Sequence, residues 1–205
     1  MYQAIHATSA TLQRLLLAEI TADSFLAAPT APFTTRAMTV LLNTPEEMLD
    51  VPREGVSLWL YRIIRDESRL NDPPRRMSAT EWRPAPLPLR LHYLITPVTT
   101  RVNLGDPDTE QYLLGKIMQI LHSRPVLRGA DLQGELAGSD AELHVHLEML
   151  TIDETSRMWE ALGGSYQLCV SYEISLVNID SARELDSRIP VTDVLAGYGP
   201  IVGPA

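Results

Sequence analysis

Residues 87–127 constrain the fold more than any other part of the chain. The segment begins LPLRLHYLITP, where Leu89, Leu91, Tyr93 and Ile95 alternate with Arg90, His92 and Thr96, and only Leu94 breaks the rule. A period of two is what a strand with one buried face requires. A loop leads into DPDTEQYLLGKIMQILHSRPVL, where Asp106 suits a helix cap and Pro107, with no amide hydrogen to waste, suits the first helical position. Asp108 and Glu110 stand where the positive end of the helix dipole favours acids. Leu113, Leu114, Ile117, Met118, Ile120 and Leu121 form a broad apolar stripe at helical spacing, and Pro125 ends the helix. Strand, loop, amphipathic helix and sharp exit fix an architecture. They fix no chemistry.

The flanking segments extend the same pattern. Residues 1–20 are expected to form a helix with Ile5, Leu12, Leu15, Leu16 and Ile20 apolar, followed by a proline-bearing linker over 22–35. Residues 36–43 are predicted as a short strand, and the acidic TPEEMLDVPREG as a turn. In a second strand, 56–64, Val56, Leu58 and Leu60 share one face and Trp59 and Tyr61 the other, so both sides are expected to be covered. Trp59 is read as packing. Beyond the central helix, Gly129, Gly134 and Gly138 mark a turn-rich connection. Residues 143–149 alternate, with Leu143, Val145, Leu147 and Met149 inward and His144, His146 and Glu148 outward. Thr151 and Glu154 make a capping box for a short helix that Gly163 or Gly164 closes, with Met158, Trp159 and Leu162 as its buried face. Residues 166–179 read as the longest strand, with Tyr166, Leu168, Val170, Tyr172, Ile174 and Leu176 on one face. From Ser181 the pattern dissolves.

These elements predict an α/β or α+β domain, a mixed β-sheet of about five strands with helices packed on it. Strand order stays open. The strand–helix–strand unit suggests a crossover, with an antiparallel return as the alternative. Residues 1–180 are expected to form the domain and 181–205 a C-terminal tail. At 205 residues and 45% hydrophobic content there is enough chain for one sizeable core. The net charge of −9 argues against nucleic acid or an anionic membrane as a partner, since both reward clustered Lys and Arg. Cys169 is the only cysteine, which rules out an internal disulfide and any multi-cysteine metal site. No N-terminal signal pattern is expected, because Arg14 interrupts a segment that is amphipathic rather than uniformly apolar, and no apolar run approaches the ~20 residues a membrane span needs. A cytoplasmic place of synthesis and folding is the default.

Residues 66–88 are the most irregular stretch. Pro73, Pro74, Pro84, Pro86 and Pro88 fall here, with Arg69, Arg75, Arg76 and Arg83 before or between them and Trp82 among them. Proline removes backbone donors, so a long arm is expected here rather than a sheet element. Loops of such length are functional or disordered. As a functional arm it would lie on a partner, with Trp82 as anchor and the arginines meeting acidic groups; as the plain alternative it is a solvated loop.

The search for chemistry is mostly negative. His144 and His146 project from one strand face, but no third and fourth metal ligands follow in any recognisable motif, and His92 is read as structural. Phosphate-binding glycine loops are absent, and Gly163–Gly164 end a helix rather than opening one. Cys169 lies inside a strand pattern with no basic partner nearby, and Ser165, Ser171 and Ser175 lack a nucleophile-elbow context. No catalytic, cofactor-binding or metal-binding residue is assigned.

The order of the pieces carries a resemblance. LHYLIT at 91–96, LLGKIMQILHSRPVL at 113–127 and ETSRMWEALGGSYQLCVSYEI at 154–174, together with LQRLLL and VSLWLYRI upstream, resemble the N-terminal domain of the cap, or tail-terminator, proteins of phage-tail-like contractile injection systems. The resemblance covers about residues 1–180 and rests on structural patterns, not catalytic signatures. It implies a structural protein, not an enzyme, with no cofactor, that closes the membrane-distal end of a contractile tail. Its implied partners are the inner tube protein, the sheath protein and five further copies of itself in a homo-hexamer. Assembly would take place in the cytoplasm, in a particle that is then released or stays in the cytosol. Arg75, Arg76, Trp82, Arg83 and Tyr172 are the interface candidates that follow, from the arm and the last long strand. Two alternatives stand beside it: an assembly chaperone or adaptor for tail components, and a small α/β enzyme with a polar pocket converging on His92, His144 or Cys169.

Overall fold

The computed structural model describes residues 2–27, 38–50, 54–78, 81–99, 106–182 and 186–187. Its centre is a six-stranded sheet made of β1 (Thr39–Leu41), β2 (Gly55–Arg65), β5 (Leu87–Val98), β6 (Val126–Arg128), β7 (Glu142–Glu148) and β8 (Val170–Ile179). The strands lie in the order β1-β2-β5-β8-β7-β6. Only β1 and β2 run parallel, so the sheet is mixed, with one strand more than the approximate five expected. The unit joining β7 to β8 is the antiparallel return: the two strands pair directly.

Four α-helices accompany the sheet among the described residues: α1 (Ala4–Thr21), α2 (Pro45–Asp50), α3 (Pro107–Ser123) and α4 (Ile152–Leu162). The alternating face of β5 turns Leu89, Leu91, Tyr93 and Ile95 into the main core, where Leu12 and Leu16 of α1 and Leu113, Ile117 and Leu121 of α3 meet them. Ser9 of α1 shares a 2.8 Å hydrogen bond with the Tyr93 hydroxyl, so the buried phenol is satisfied. Helix α3 starts as its sequence dictates: the Asp106 carboxylate accepts from the Thr109 amide, and Pro107 follows. At α4, Thr151 and Glu154 close both halves of a capping box, and Gly163 ends the helix at φ 72°.

Several expectations need correction. The acidic turn contains α2, whose Met48 is buried against the sheet; tertiary packing on β2 and β5 makes a helix of a six-residue segment too short to hold alone. The helix α2 sits in the parallel crossover from β1 to β2. Strand β8 starts at Val170, leaving Tyr166 and Leu168 exposed, and at 10 residues it is shorter than the 12 of β5. Its alternation also breaks. Leu176 adopts φ 65°, and a bulge lets Leu89 pair with Val177 while Leu91 pairs with Ile174, so Val177 and not Leu176 is buried. In β7, Leu143 and Val145 are buried but Leu147 is 50% exposed, and Met149, just past the strand's end, is 95% exposed, because both lie beyond the partner β6. On α4 only Trp159 and Thr155 are buried; Met158 and Leu162 are half-covered.

The expected linker falls mainly on 28–35 and the start of the first predicted strand on 36–37, outside the described residues; the tail is described only at 181–182 and 186–187.

Candidate functional site

The proline-rich stretch is not wholly an arm without sheet. Its prolines fall before and after two short proline-free pieces, β3 (Arg75–Arg76) and β4 (Glu81–Arg83), which are therefore free to pair. A third piece, β9 (Asp186–Ser187), adds to β4 and completes a small antiparallel sheet ordered β3-β4-β9. The stretch closes at Leu87 and Pro88, which already belong to β5.

This small sheet brings four of the five interface candidates together. Arg75 stands opposite Arg83, and Arg76 opposite Trp82, with the Arg76 guanidinium 5.8 Å from the Trp82 ring centroid. That separation is within cation–π range. Directly opposed like charges weaken a ribbon. Arg83 offsets this by reaching Asp180 at 3.8 Å, beyond the end of β8. Arg75 and Arg76 are exposed, and Trp82 is half-buried. The fifth candidate, Tyr172, lies elsewhere: it is 4% exposed on the core face of β8. It lines an apolar groove with Met118, Leu121, Pro125, Val145 and Leu147.

An ion pair between a buried carboxylate and a half-buried guanidinium joins the root of the arm to the main sheet. Asp66 caps the short 3-10 turn Glu67–Arg69 by accepting from the Ser68 amide, and Arg90 of β5 donates to it at 2.9 Å. Burial alone would raise the Asp66 carboxyl, but the hydrogen bonds from Arg90 and Ser68 outweigh it and hold it below its ordinary value. The Asp66 bond in turn raises the Arg90 guanidinium.

The opposite face of the sheet carries a second polar group that sequence reasoning missed. His92 is 3% exposed, and its Nδ1 lies 2.8 Å from Oε1 of Glu148. The Ser171 hydroxyl donates to Oε2 of Glu148 at 2.6 Å, and the Tyr61 hydroxyl donates to the same atom at 3.3 Å. Glu173 pairs in register with His92 on one side and His146 on the other. No local motif announces the group, because its members come from β2, β5, β7 and β8; only the register assembles it. Burial pushes the Tyr61 hydroxyl up.

These polar groups do not converge with the other residues considered for catalysis. The Ser171 hydroxyl donates to the Glu148 carboxylate rather than to the histidine, so the group does not form a serine–histidine pair. The Cys169 thiol is half-buried and pushed up by burial, the reverse of an activated nucleophile. His144 is placed beside His146, with ring centroids 6.3 Å apart, and not beside His92. Among the described residues, no helix is long and apolar enough to cross a membrane.

The family model described as the Pvc16 N-terminal domain matches residues 7–193. No curated protein matches the sequence. The fold is similar to a solved structure titled as the sheath/tube terminator of PVC, an extracellular contractile injection system, in its extended state; the two are 19% identical with a TM-score of 0.66, over 98% of this chain and 65% of that one. It is also similar to the structure titled as the tube-terminating cap of the anti-feeding prophage, 15% identical with a TM-score of 0.63, over 93% of this chain and 60% of that one. At these identities the likeness is one of fold, and this chain spans less than two thirds of either protein.

Proposed function

This chain belongs to the Pvc16 N-terminal domain family, and on that premise we propose that it forms the terminating cap of a contractile injection particle, binding the last layers of tube and sheath. The observation that carries the proposal is the family match over residues 7–193, nearly the whole chain. In this reading the protein is structural, not an enzyme, needs no catalytic cofactor, and has no nucleic-acid or membrane partner. Its partners are inner tube protein, sheath protein and further copies of itself in a hexameric ring. It assembles in the cytoplasm and then forms part of the particle, whether that is released or retained. Residues 1–180 form the docking domain, and 181–205 a tail whose Asp186 and Ser187 pair with the arm.

A ring needs two different complementary surfaces on each subunit, since its contacts run head to tail. The arm sheet supplies one. Arg75, Arg76 and Arg83 concentrate positive charge on a chain of net charge −9, and Trp82 offers a flat apolar anchor among them. The groove beside β7 and β8, lined by Tyr172, Leu147 and Met118, supplies the other. Many weak contacts made at once add through high effective concentration, so the isolated chain need not be a hexamer.

Deleting the gene in a strain that makes the particle tests the function. The expected result is tubes of irregular length with an unprotected sheath end, restored by the parent gene. Tubes of unchanged length and stability would overturn it.

A further inference from the structure

We propose that His92, Glu148 and Glu173 form a binding site for one divalent transition-metal ion, of the zinc class, on the sheet face opposite the main core. A ring nitrogen of His92 and one carboxylate oxygen from each glutamate all lie within 4.8 Å of one another. Ligand atoms on a tetrahedral zinc ion, with bonds of about 2.1 Å, stand roughly 3.4 Å apart, so small side-chain rotations bring the three onto one ion. The mixed nitrogen and carboxylate donors suit zinc, cobalt or manganese better than magnesium.

Three observations support a built site rather than a chance cluster. The histidine is 3% exposed, so its ring is held by packing and not free on the surface. Glu148 is oriented through its other oxygen by the hydroxyls of Ser171 and Tyr61, the kind of outer bonding that fixes a ligating carboxylate. The charge balance also asks for a dication. Glu148 is paired with the ring of His92, and Glu173 shares the Arg90 guanidinium with Asp66, at 3.6 Å and 2.9 Å respectively, while Arg62, opposite His92, is exposed at the rim.

The ion takes the place of the proton between Nδ1 of His92 and Oε1 of Glu148, and draws Glu173 away from Arg90, which keeps Asp66. Nε2 of His92 is buried without a partner in either tautomer, so the exchange creates no new unpaired atom on the histidine. His146, opposite Glu173 in register and exposed, stays outside the inner set. A bound ion would cross-link β5, β7 and β8, and binding to the folded state alone stabilises it.

The test is a calorimetric titration of the full chain with zinc chloride near neutral pH, with cobalt absorption as an independent report on the ligand set. One ion per chain is expected. Glu173→Gln, which leaves the His92–Glu148–Ser171 bonds in place, should weaken binding at least about tenfold and abolish the zinc-induced rise in melting temperature. Glu173→Asp serves as the second variant should the amide variant aggregate, with a similar loss expected. His144→Ala combined with His146→Ala should bind as the parent does. Absence of saturable binding, unchanged binding in the Glu173 variants, or loss in the double histidine variant would overturn the site, the last by showing a surface histidine pair only.

Discussion

The six-stranded sheet and the arm sheet use the same backbone pairing to opposite ends. The large sheet has strands of 10 to 12 residues at its centre, and its alternating face is sealed under α1 and α3. The arm sheet has strands of two or three residues, and none of Arg75, Arg76, Glu81, Trp82 and Arg83 is buried. Burial of apolar area holds the first; backbone and polar bonds hold the second, among them the Arg76 guanidinium over Trp82, its bond to the Ser78 carbonyl and the long Arg83–Asp180 ion pair. A region stabilised by burial has little side-chain chemistry left to offer a partner. One held mainly through its backbone keeps its side chains available, at the cost of rigidity.

Substitutions in the two regions should therefore separate stability from assembly. The largest loss is expected from Ile117→Asp, which places an unpaired carboxylate in the core of α3 at a position with no exposed surface. A cost of several kcal/mol should remove soluble folded protein, checked by yield and circular dichroism. A variant that melts like the parent would show the large sheet does not depend on that face.

Gly55→Ala comes next. Gly55 has φ 150°, and an added Cβ would stand 1.8 Å from the Thr39 carbonyl oxygen. Since β1 must move for the methyl group to fit, a loss of about 2 to 3 kcal/mol is expected by thermal or urea unfolding. The main core should stay formed, because β1 is a three-residue edge strand.

Asp66→Asn tests the joint between the two regions. Arg90 is a third exposed, so water screens part of the pair and a loss of about 1 to 2 kcal/mol is expected. The pH dependence has a definite sign. The Asp66 carboxyl titrates below its ordinary value of 3.8 when folded, so its contribution is complete above that value and disappears as pH falls through the lower folded value. Stability measured against pH should fall less steeply on the acid side in the variant than in the parent.

The smallest stability change is expected from Arg75→Ala, Arg76→Ala and Trp82→Ala together, about 1 kcal/mol or less. Co-purification with tube or sheath subunits should nevertheless drop sharply. Normal co-purification would return the arm to a solvated loop and erase the contrast.

The sequence was most legible where one local signal sufficed. Asp106, Pro107 and the stripe from Leu113 to Leu121 define α3 without help from elsewhere, and Thr151 with Glu154 does the same for the start of α4. Other features depend on distant partners. Helix α2 relies on one to persist, because Met48 must find the sheet, although Thr44, Pro45 and Glu47 do announce its start: they form a capping box with proline at the first helical position. The bulge at Leu176 shifts the buried set from Leu176 to Val177, and only pairing with β5 reveals it. Arg75, Arg76, Trp82 and Arg83 were read together as one arm, but its sheet was hidden because β9 comes from about a hundred residues downstream. The His92–Glu148–Ser171–Tyr61 group was invisible for the same reason: four strands must be in register before it forms.

The most direct measurement is electron microscopy of particles carrying a tagged copy of this chain, reconstructed without imposed symmetry. Terminal capping predicts label at one end only, as a ring of six seated on the last tube layer and touching the neighbouring sheath. Label distributed along the tube, or particles without the chain at either end, would contradict it.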